Sequence, residues 1–306
     1  MKKIAVLIPC YNEALTIAKV VGDVKKELPM ADVYVYDNNS IDGTDKVAKK
    51  TGAIVRYEKR QGKGNVIRSM FNQIDADCYV MVDGDDTYDV GNIKKMCDMV
   101  LNDNIDMVIG DRLSSTYFEE NKKILNSFGN RLVRFLINKI FGTNITDIMT
   151  GYRSFSKRFV KNFPISSPNF EIETEMTIHA VEKRFYIEQS PVLYRDRKKG
   201  SFSKLHPIKD GFKVLLTIFN LFKEYKPLLF FSILSFLFDI TFFLMFIPLL
   251  FEYFDTGLVP RFPTLIVSLV FLLIGILMLF IGIILDYIKN KTNFFYELLL
   301  NRDSSK

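Results

Sequence analysis

The stretch Asp77–Asp89, DCYVMVDGDDTYD, decides the reading of this chain. Its apolar run, Cys78-Tyr79-Val80-Met81-Val82, is short and β-prone, which predicts a buried central strand. The run empties into Asp83-Gly84-Asp85-Asp86, at the strand's C-terminal end, where open α/β sheets place their ligands. Acids so closely spaced repel one another unless a cation sits among them, and Mg²⁺ or Mn²⁺ takes oxygen ligands of this kind. Standing alone, the same residues describe an acidic turn, because Asp and Gly are common turn formers.

On the N-terminal side, apolar runs alternate with helical patterns. Ile4–Ile8 reads as a first strand ending in Pro9-Cys10-Tyr11-Asn12-Glu13, followed by a helix over Ala14–Leu28. Met1-Lys2-Lys3 before it superficially suggests a signal peptide, but the apolar run is too short and Pro9 cuts it. Val33–Tyr36 is a second strand, running into Asp37-Asn38-Asn39-Ser40, and Thr44–Thr51 a helix closed by Gly52. Ala53–Tyr57 is a third strand, and a helix over Val66–Ile74 leads back to the opening stretch. Beyond it come a helix over Asn92–Leu101 and a strand, Met107–Ile109, ending in Gly110-Asp111-Arg112. This alternation predicts a mostly parallel, doubly wound α/β sheet whose polar strand ends share one edge.

Between the third strand and its helix lies a glycine loop, Arg60-Gln61-Gly62-Lys63-Gly64-Asn65. It reads either as a phosphate cradle, with Lys63 and Arg68 adding charge, or as a plain helix entry; it lacks the spacing of a P-loop. Cys10, Cys78 and Cys97 are odd in number and have no metal-ligand spacing, which fits reduced thiols in a reducing compartment. His179 and His206 are far apart, and no Ser/His/Asp or Cys/His arrangement stands out.

PCYNE (9–13), VYDNNSIDGT (35–44), QGKGNVIR (61–68) and VDGDDTYD (82–89) together resemble the family 2 glycosyltransferases of GT-A fold, over roughly residues 4–205. TDIMTGYR (146–153), NFEIETEM (169–176) and YRDRKKGSFSKL (194–205) resemble the branch that loads sugars onto polyprenyl phosphate, such as dolichol-phosphate mannose synthases and undecaprenyl-phosphate glucosyltransferases. The resemblance implies a metal-dependent, inverting hexosyltransferase with Mg²⁺ or Mn²⁺ as cofactor. It puts Pro9, Tyr11, Asn12, Glu13, Asp37, Asn39, Lys63, Gly64, Arg68 and Gly84 around a nucleotide sugar, Asp37 near the base or ribose. Asp83 and Asp85 match the family's DxD, with Asp85 closest to the metal and Asp83 nearer the sugar or ribose. Thr87 stands where some relatives have Gln, which weakens a metal-ligand role there and a mannose assignment. Asp147 falls where related enzymes place an acid beside the acceptor or sugar.

The acceptor sets a second requirement. A sugar hydroxyl needs a general base, whereas a lipid phosphate is already ionised near neutral pH and needs positioning by Arg and Lys. Arg112, Arg131, Arg153, Arg197, Ser203 and Lys204 are the candidates, with Arg197 favoured by its place before Gly200 and Ser203-Lys204. Arg131 and Arg195 read equally well as solvated surface charges. Glu171, Glu173 and Glu175 read as an acidic helix start or, less readily, as a base.

The composition shifts beyond residue 205. Ile208, Phe212, Leu215, Phe219 and Phe222 form a stripe among lysines, as in a helix lying in a membrane interface. Leu228–Phe251 and Leu265–Ile288 are apolar and long enough to cross a hydrocarbon core of about 30 Å. The expected organisation is a GT-A domain (1–205), an amphipathic helix (206–226), a transmembrane hairpin (227–290) and a cytoplasmic tail (291–306). Lysines flanking the spans predict both termini and the catalytic domain on the cytoplasmic face of the inner membrane. Asp239, within the first span, reads as meeting a partner helix in a homo-oligomer or as snorkelling to the interface, and Gly275 and Gly282 read as close-packing points.

The expected partners are thus a nucleotide sugar (UDP favoured over GDP), a polyprenyl phosphate and the membrane, with no nucleic acid. A transferase acting on a glycan or lipid hydroxyl, and a non-catalytic scaffold on the same fold, are the alternatives.

Overall fold

The strands of the catalytic portion are β1 (Ile4–Cys10), β2 (Asp32–Asp37), β3 (Ile54–Tyr57), β4 (Cys78–Met81), β5 (Met107–Asp111), β6 (Arg153–Ser156) and β7 (Ile187–Pro191). They form one sheet in the order β3-β2-β1-β4-β6-β5-β7. All neighbours pair in parallel except at β6, which runs antiparallel to both β4 and β5. The computed structural model describes residues 2–114, 124–198, 200 and 207–304.

The helices are α1 (Ile17–Glu27), α2 (Thr44–Lys50), α3 (Lys63–Gln73), α4 (Ile93–Leu101), α5 (Ile124–Phe141), α6 (Lys157–Asn162), α7 (Ile172–Glu182), α8 (Pro207–Tyr225), α9 (Pro227–Thr256) and α10 (Phe262–Ser304). Val6 and Ile8 of β1, Val33 and Val35 of β2 and Val80 of β4 pack with Ile17, Val21 and Val24 of α1 and Met96 of α4. Each such side chain, fully buried, contributes about 1.5–3 kcal/mol. Strands this apolar need cover on both faces, and the crossover helices supply it.

The structure alters several expectations. α1 begins at Ile17 rather than Ala14, because the Glu13 carbonyl accepts both Thr16 N–H and Ile17 N–H in a turn before it. α3 begins at Lys63 rather than Val66, so the glycine loop is largely the helix's own first turn. β6 and β7 had no counterpart in the apolar pattern. α10 continues as helix to Ser304, where a tail was expected from residue 291.

The chain divides into two units, Met1–Ile218 and Phe219–Lys306. In the second, α9 and α10 are each long and apolar enough to span a membrane. Glycine sets their approach at two places. A Cβ on Gly275 would collide with Asp239 Oδ1, and one on Gly282 would come within 2.9 Å of Phe231 Cβ. Asp239 therefore presses its carboxyl against α10 of its own chain, while Ser235 Oγ donates to the other oxygen at 3.3 Å. In α8 the buried side is Val214, Ile218 and Leu221, while Phe212, Leu216 and Phe219 are exposed. Of the stripe read from the sequence, Phe212 and Phe219 are exposed, Leu215 and Phe222 are half-buried, and the Ile208 side chain lies outside the described ones.

Candidate active site

Three parallel strands deliver their polar ends to one edge. At the end of β1, Asn12 N–H donates to Ser40 Oγ (2.9 Å) and Asn12 Oδ1 accepts Ile41 N–H (2.9 Å). Glu13 N–H donates to Thr44 Oγ1 at 2.8 Å. Asn12 and Asn39 both adopt positive φ, a conformation Asn tolerates better than most residues. These bonds tie the PCYNE turn to the loop after β2, and fix Tyr11, which is exposed, beside it.

Asp37 ends β2. Its Oδ1 accepts Ser40 N–H at 3.0 Å, and its Oδ2 is buried without a hydrogen-bond partner. A buried carboxylate oxygen left unpaired is costly, and it is an acceptor aimed at whatever donor fills the site. Asn38 next to it braces the loop after β3, donating to the carbonyls of Glu58 (2.7 Å) and Arg60 (2.8 Å) and accepting Gly62 N–H (2.8 Å).

The acids after β4 are separated by their partners. Asp83 Oδ1 accepts from Lys63 Nζ at 2.6 Å, and the same ammonium reaches Glu173 Oε1 of α7 at 2.7 Å. Burial pulls the Lys63 pKa down, but the fields of Asp83 and Glu173 together outweigh it and raise it, so the ammonium stays charged. Burial raises the Glu173 pKa in turn. Gly151 lies against the Asp83 carboxylate so closely that any Cβ there would overlap it. Asp85 is nearly buried: Oδ1 accepts from Thr87 Oγ1 (2.6 Å) and Thr87 N–H (3.2 Å), and Oδ2 pairs with Arg197 Nη2 at 2.5 Å. Thr16 Oγ donates to the Gly84 carbonyl at 2.7 Å, anchoring the turn to the start of α1. Asp86 takes φ +60° and pairs with Lys19 at 2.5 Å, as a turn residue would.

A second charged pair closes the other side. Arg112 Nε donates to Asp147 Oδ2 at 2.8 Å, its Nη2 reaches the Met149 carbonyl at 2.9 Å, and its guanidinium lies over the Tyr194 ring. Burial lowers the Arg112 pKa, but Asp147, Tyr88 and Tyr194 together outweigh it and raise it, so the guanidinium stays charged. The Tyr88 hydroxyl accepts Gly151 N–H at 3.0 Å, linking this pair to the segment that holds Asp83.

Other expected site residues stand elsewhere. Arg153 is fully buried in β6, donating to the carbonyls of Thr150 and Ile148 and to Thr177 Oγ1. Burial lowers its pKa to about 10, and its donors are directed into the core rather than at an acceptor phosphate. Arg68 turns its guanidinium to the Ile165 carbonyl. Gly64 packs against the Ser167 carbonyl and Asn65 N–H donates to Pro168 O, so the glycine loop faces backbone rather than an open anion site. Arg131 is exposed on α5, and Arg195 pairs with Asp89 at 2.6 Å. Ser203 and Lys204 lie outside the described residues. Gly151 escaped the sequence reading, and Thr87 and Glu173, weighed there as a metal ligand and a base, instead hold Asp85 and Lys63; the spacing of Asp85 and Thr87 is that of a local Asp-to-hydroxyl turn.

The donor set suits a hard dication. Among the described residues no three His, Cys, Asp or Glu side chains cluster tightly enough to hold an ion alone. Mg²⁺ typically takes one or two carboxylates and completes its shell with substrate phosphate and water, which is what Asp85 and Asp83 offer.

Sheet, crossovers and strand-end carboxylates make this a GT-A domain. The chain belongs to glycosyl transferase family 2, whose model matches residues 5–163. It is 35% identical over 234 residues to glycosyltransferase AglJ of Haloferax volcanii, covering 76% of each chain. It is 29% identical over 208 residues to a dolichyl-phosphate hexose transferase of the same organism, covering 68% of this chain and 89% of that one. Among solved structures, glucosyl-3-phosphoglycerate synthase from Mycobacterium tuberculosis, solved with Mn²⁺, UDP and glucosyl-3-phosphoglycerate, superposes with a TM-score of 0.56 at 18% identity, over 72% of this chain and 79% of that one.

Proposed function

We propose that this glycosyltransferase moves a hexose from a nucleotide sugar, UDP-linked in preference to GDP-linked, to a polyprenyl phosphate. The observation that carries the reading is the pair of strand-end carboxylates, Asp83 and Asp85, each charge-compensated by a separate cation, Lys63 and Arg197. Relatives named for dolichyl-phosphate hexose transfer and polyprenol monophosphomannose synthesis support the acceptor class. The Mn²⁺ and UDP of the structural neighbour support the donor chemistry.

Asp37 Oδ2 accepts a hydrogen bond from the base or ribose, filling its unpaired position. Asp83, held by Lys63 and seated against Gly151, presents its remaining oxygen to sugar or ribose hydroxyls. Asp85 and Asp83 would hold the dication, which when bound neutralises the diphosphate leaving group as a Lewis acid. Arg197 and Arg112 supply charge for the acceptor phosphate, and Arg131, Ser203 and Lys204 remain proposed contacts for it. The acceptor oxygen forms its bond to the anomeric carbon as the bond to the diphosphate breaks, in one displacement that inverts configuration. No general base is required, because the attacking phosphate is already ionised.

α9 and α10 cross the membrane, with both flanks and the catalytic unit on the cytoplasmic side; their length and apolarity, and Lys223 and Lys226 before and Lys289 and Lys291 after, support this reading. The test is incubation of the full chain with undecaprenyl phosphate and labelled UDP- and GDP-hexoses. A mild-acid-labile lipid product is expected; an acid-stable product would transfer the reading to a hydroxyl acceptor, and no product with any donor would overturn it.

A further inference from the structure

Tyr88 follows the strand-end acids in the turn toward α4 and is 5% exposed. Backbone bonds on either side of it fix where its side chain starts. Asp89 N–H donates to the Leu193 carbonyl at 3.0 Å, and Arg195 N–H donates to the Thr87 carbonyl at 2.7 Å. Its ring packs on those of Tyr152 and Tyr194, with centroids 5.6 and 5.4 Å away. The hydroxyl so placed meets groups from two other segments. Gly151 N–H donates to it at 3.0 Å, Thr150 Oγ1 lies 3.3 Å away and Arg112 Nη1 lies 3.5 Å away.

Those segments carry the two charged pairs of the site. Gly151 lies against the Asp83 carboxylate, and the Met149 carbonyl just before it accepts from Arg112 Nη2 at 2.9 Å. The turn 149–151 is therefore held by Arg112 at one end and by Tyr88 at the other, with Asp83 pressed on it. A phenol hydroxyl accepts N–H groups while donating its own proton, so one side chain bears on both pairs. A phenylalanine would fill the same space between the rings, which singles out the hydroxyl.

We infer that Tyr88 is a positioning residue for the transfer: its hydroxyl keeps the turn 149–151 against Asp83 and beside Arg112, so that the carboxylate facing the donor and the guanidinium facing the acceptor hold one spacing. The inference rests on the proposed activity for those two roles. A single displacement tolerates little error in that spacing, and misplacing reacting groups by about 1 Å costs about 10²-fold in rate.

The experiment uses the full chain carrying Tyr88→Phe, which keeps both ring contacts, and follows transfer from labelled nucleotide hexoses to undecaprenyl phosphate. The kcat is expected to fall by about 10–10²-fold while KM for both substrates stays within about twofold. An unchanged kcat, or a loss confined to KM, overturns the inference. A second readout needs no transfer. Gly151→Ala drives a methyl into the Asp83 carboxylate as long as Tyr88 pins the turn, and the turn can retreat once the hydroxyl is gone. Gly151→Ala should therefore lower the melting temperature less in the Tyr88→Phe background than in the parent. Equal losses in the two backgrounds overturn the inference whatever the activity. Absence of product in the parent strikes the proposed activity alone, because the melting comparison still decides whether Tyr88 holds the turn.

Discussion

Arg197 Nη2 stands 2.5 Å from Asp85 Oδ2 while Thr87 occupies the other oxygen of the same carboxylate. Both oxygens of the proposed metal ligand are therefore engaged, one by a cation that a dication would have to displace. In the proposed reaction the guanidinium would compensate Asp85 until metal and diphosphate bind, and would then stand free beside the substrate.

Arg197→Gln should consequently bind Mn²⁺ more tightly while turning over more slowly. Competition from a partly exposed pair is worth about 1 kcal/mol, or roughly fivefold in affinity. Titration followed by Mn²⁺ paramagnetic resonance measures it, and unchanged affinity would show that the ion pair does not compete with metal.

Asp85→Asn keeps the shape and an oxygen for Thr87 but removes the charge. Activity should fall by about 10²–10³-fold, the usual cost of losing one preorganised electrostatic contact, with circular dichroism unchanged. Retained activity would remove Asp85 from the reaction.

Lys63→Met leaves Asp83 and Glu173 facing each other without their shared cation. Stripping a buried pair of one partner costs about 3–5 kcal/mol. Combining Lys63→Met with Glu173→Gln should recover part of that loss, and a denaturation series on the single and double variants exposes the coupling. Additive losses would mean that the two residues act independently.

His179 sits among Phe159, Phe163 and Phe185, and burial lowers its pKa to about 3. The unfolded chain protonates its histidine near pH 6.5, so below that value the unfolded state binds more protons. The stability that neutral His179 provides is full above about pH 6.5 and drains away as pH falls toward 3. Melting temperatures of the parent should drop on acidification more steeply than those of His179→Phe; parallel curves would refute the assignment.

What could be read from the sequence followed the apolar runs. β1, β2, β4 and β5 are short stretches of Val, Ile, Tyr and Met, and the acids that end them were found because strand ends are where a parallel sheet puts its ligands. β6 is only Arg-Ser-Phe-Ser, and β7 is a polar edge strand closed by Pro191, so neither carries an apolar signal. Arg153 was misassigned because an arginine beside Gly-Tyr resembles a surface cation. Its burial depends on carbonyls brought to it by the turn before β6 and on Thr177 of α7. The contact between Lys63 and Glu173 joins positions 110 residues apart, a separation that no local pattern encodes.

α10 has a mechanical consequence. Forty-three helical residues extend about 64 Å, roughly twice the thickness of a bilayer's hydrocarbon core. If α10 crosses a bilayer as proposed, no ordinary tilt would hide that length, and the stretch carrying Lys289 and Lys291 would stand outside the hydrocarbon core as a stiff mast. Any rolling of the helix in that lipid bed would then be felt at Ser304 without slack.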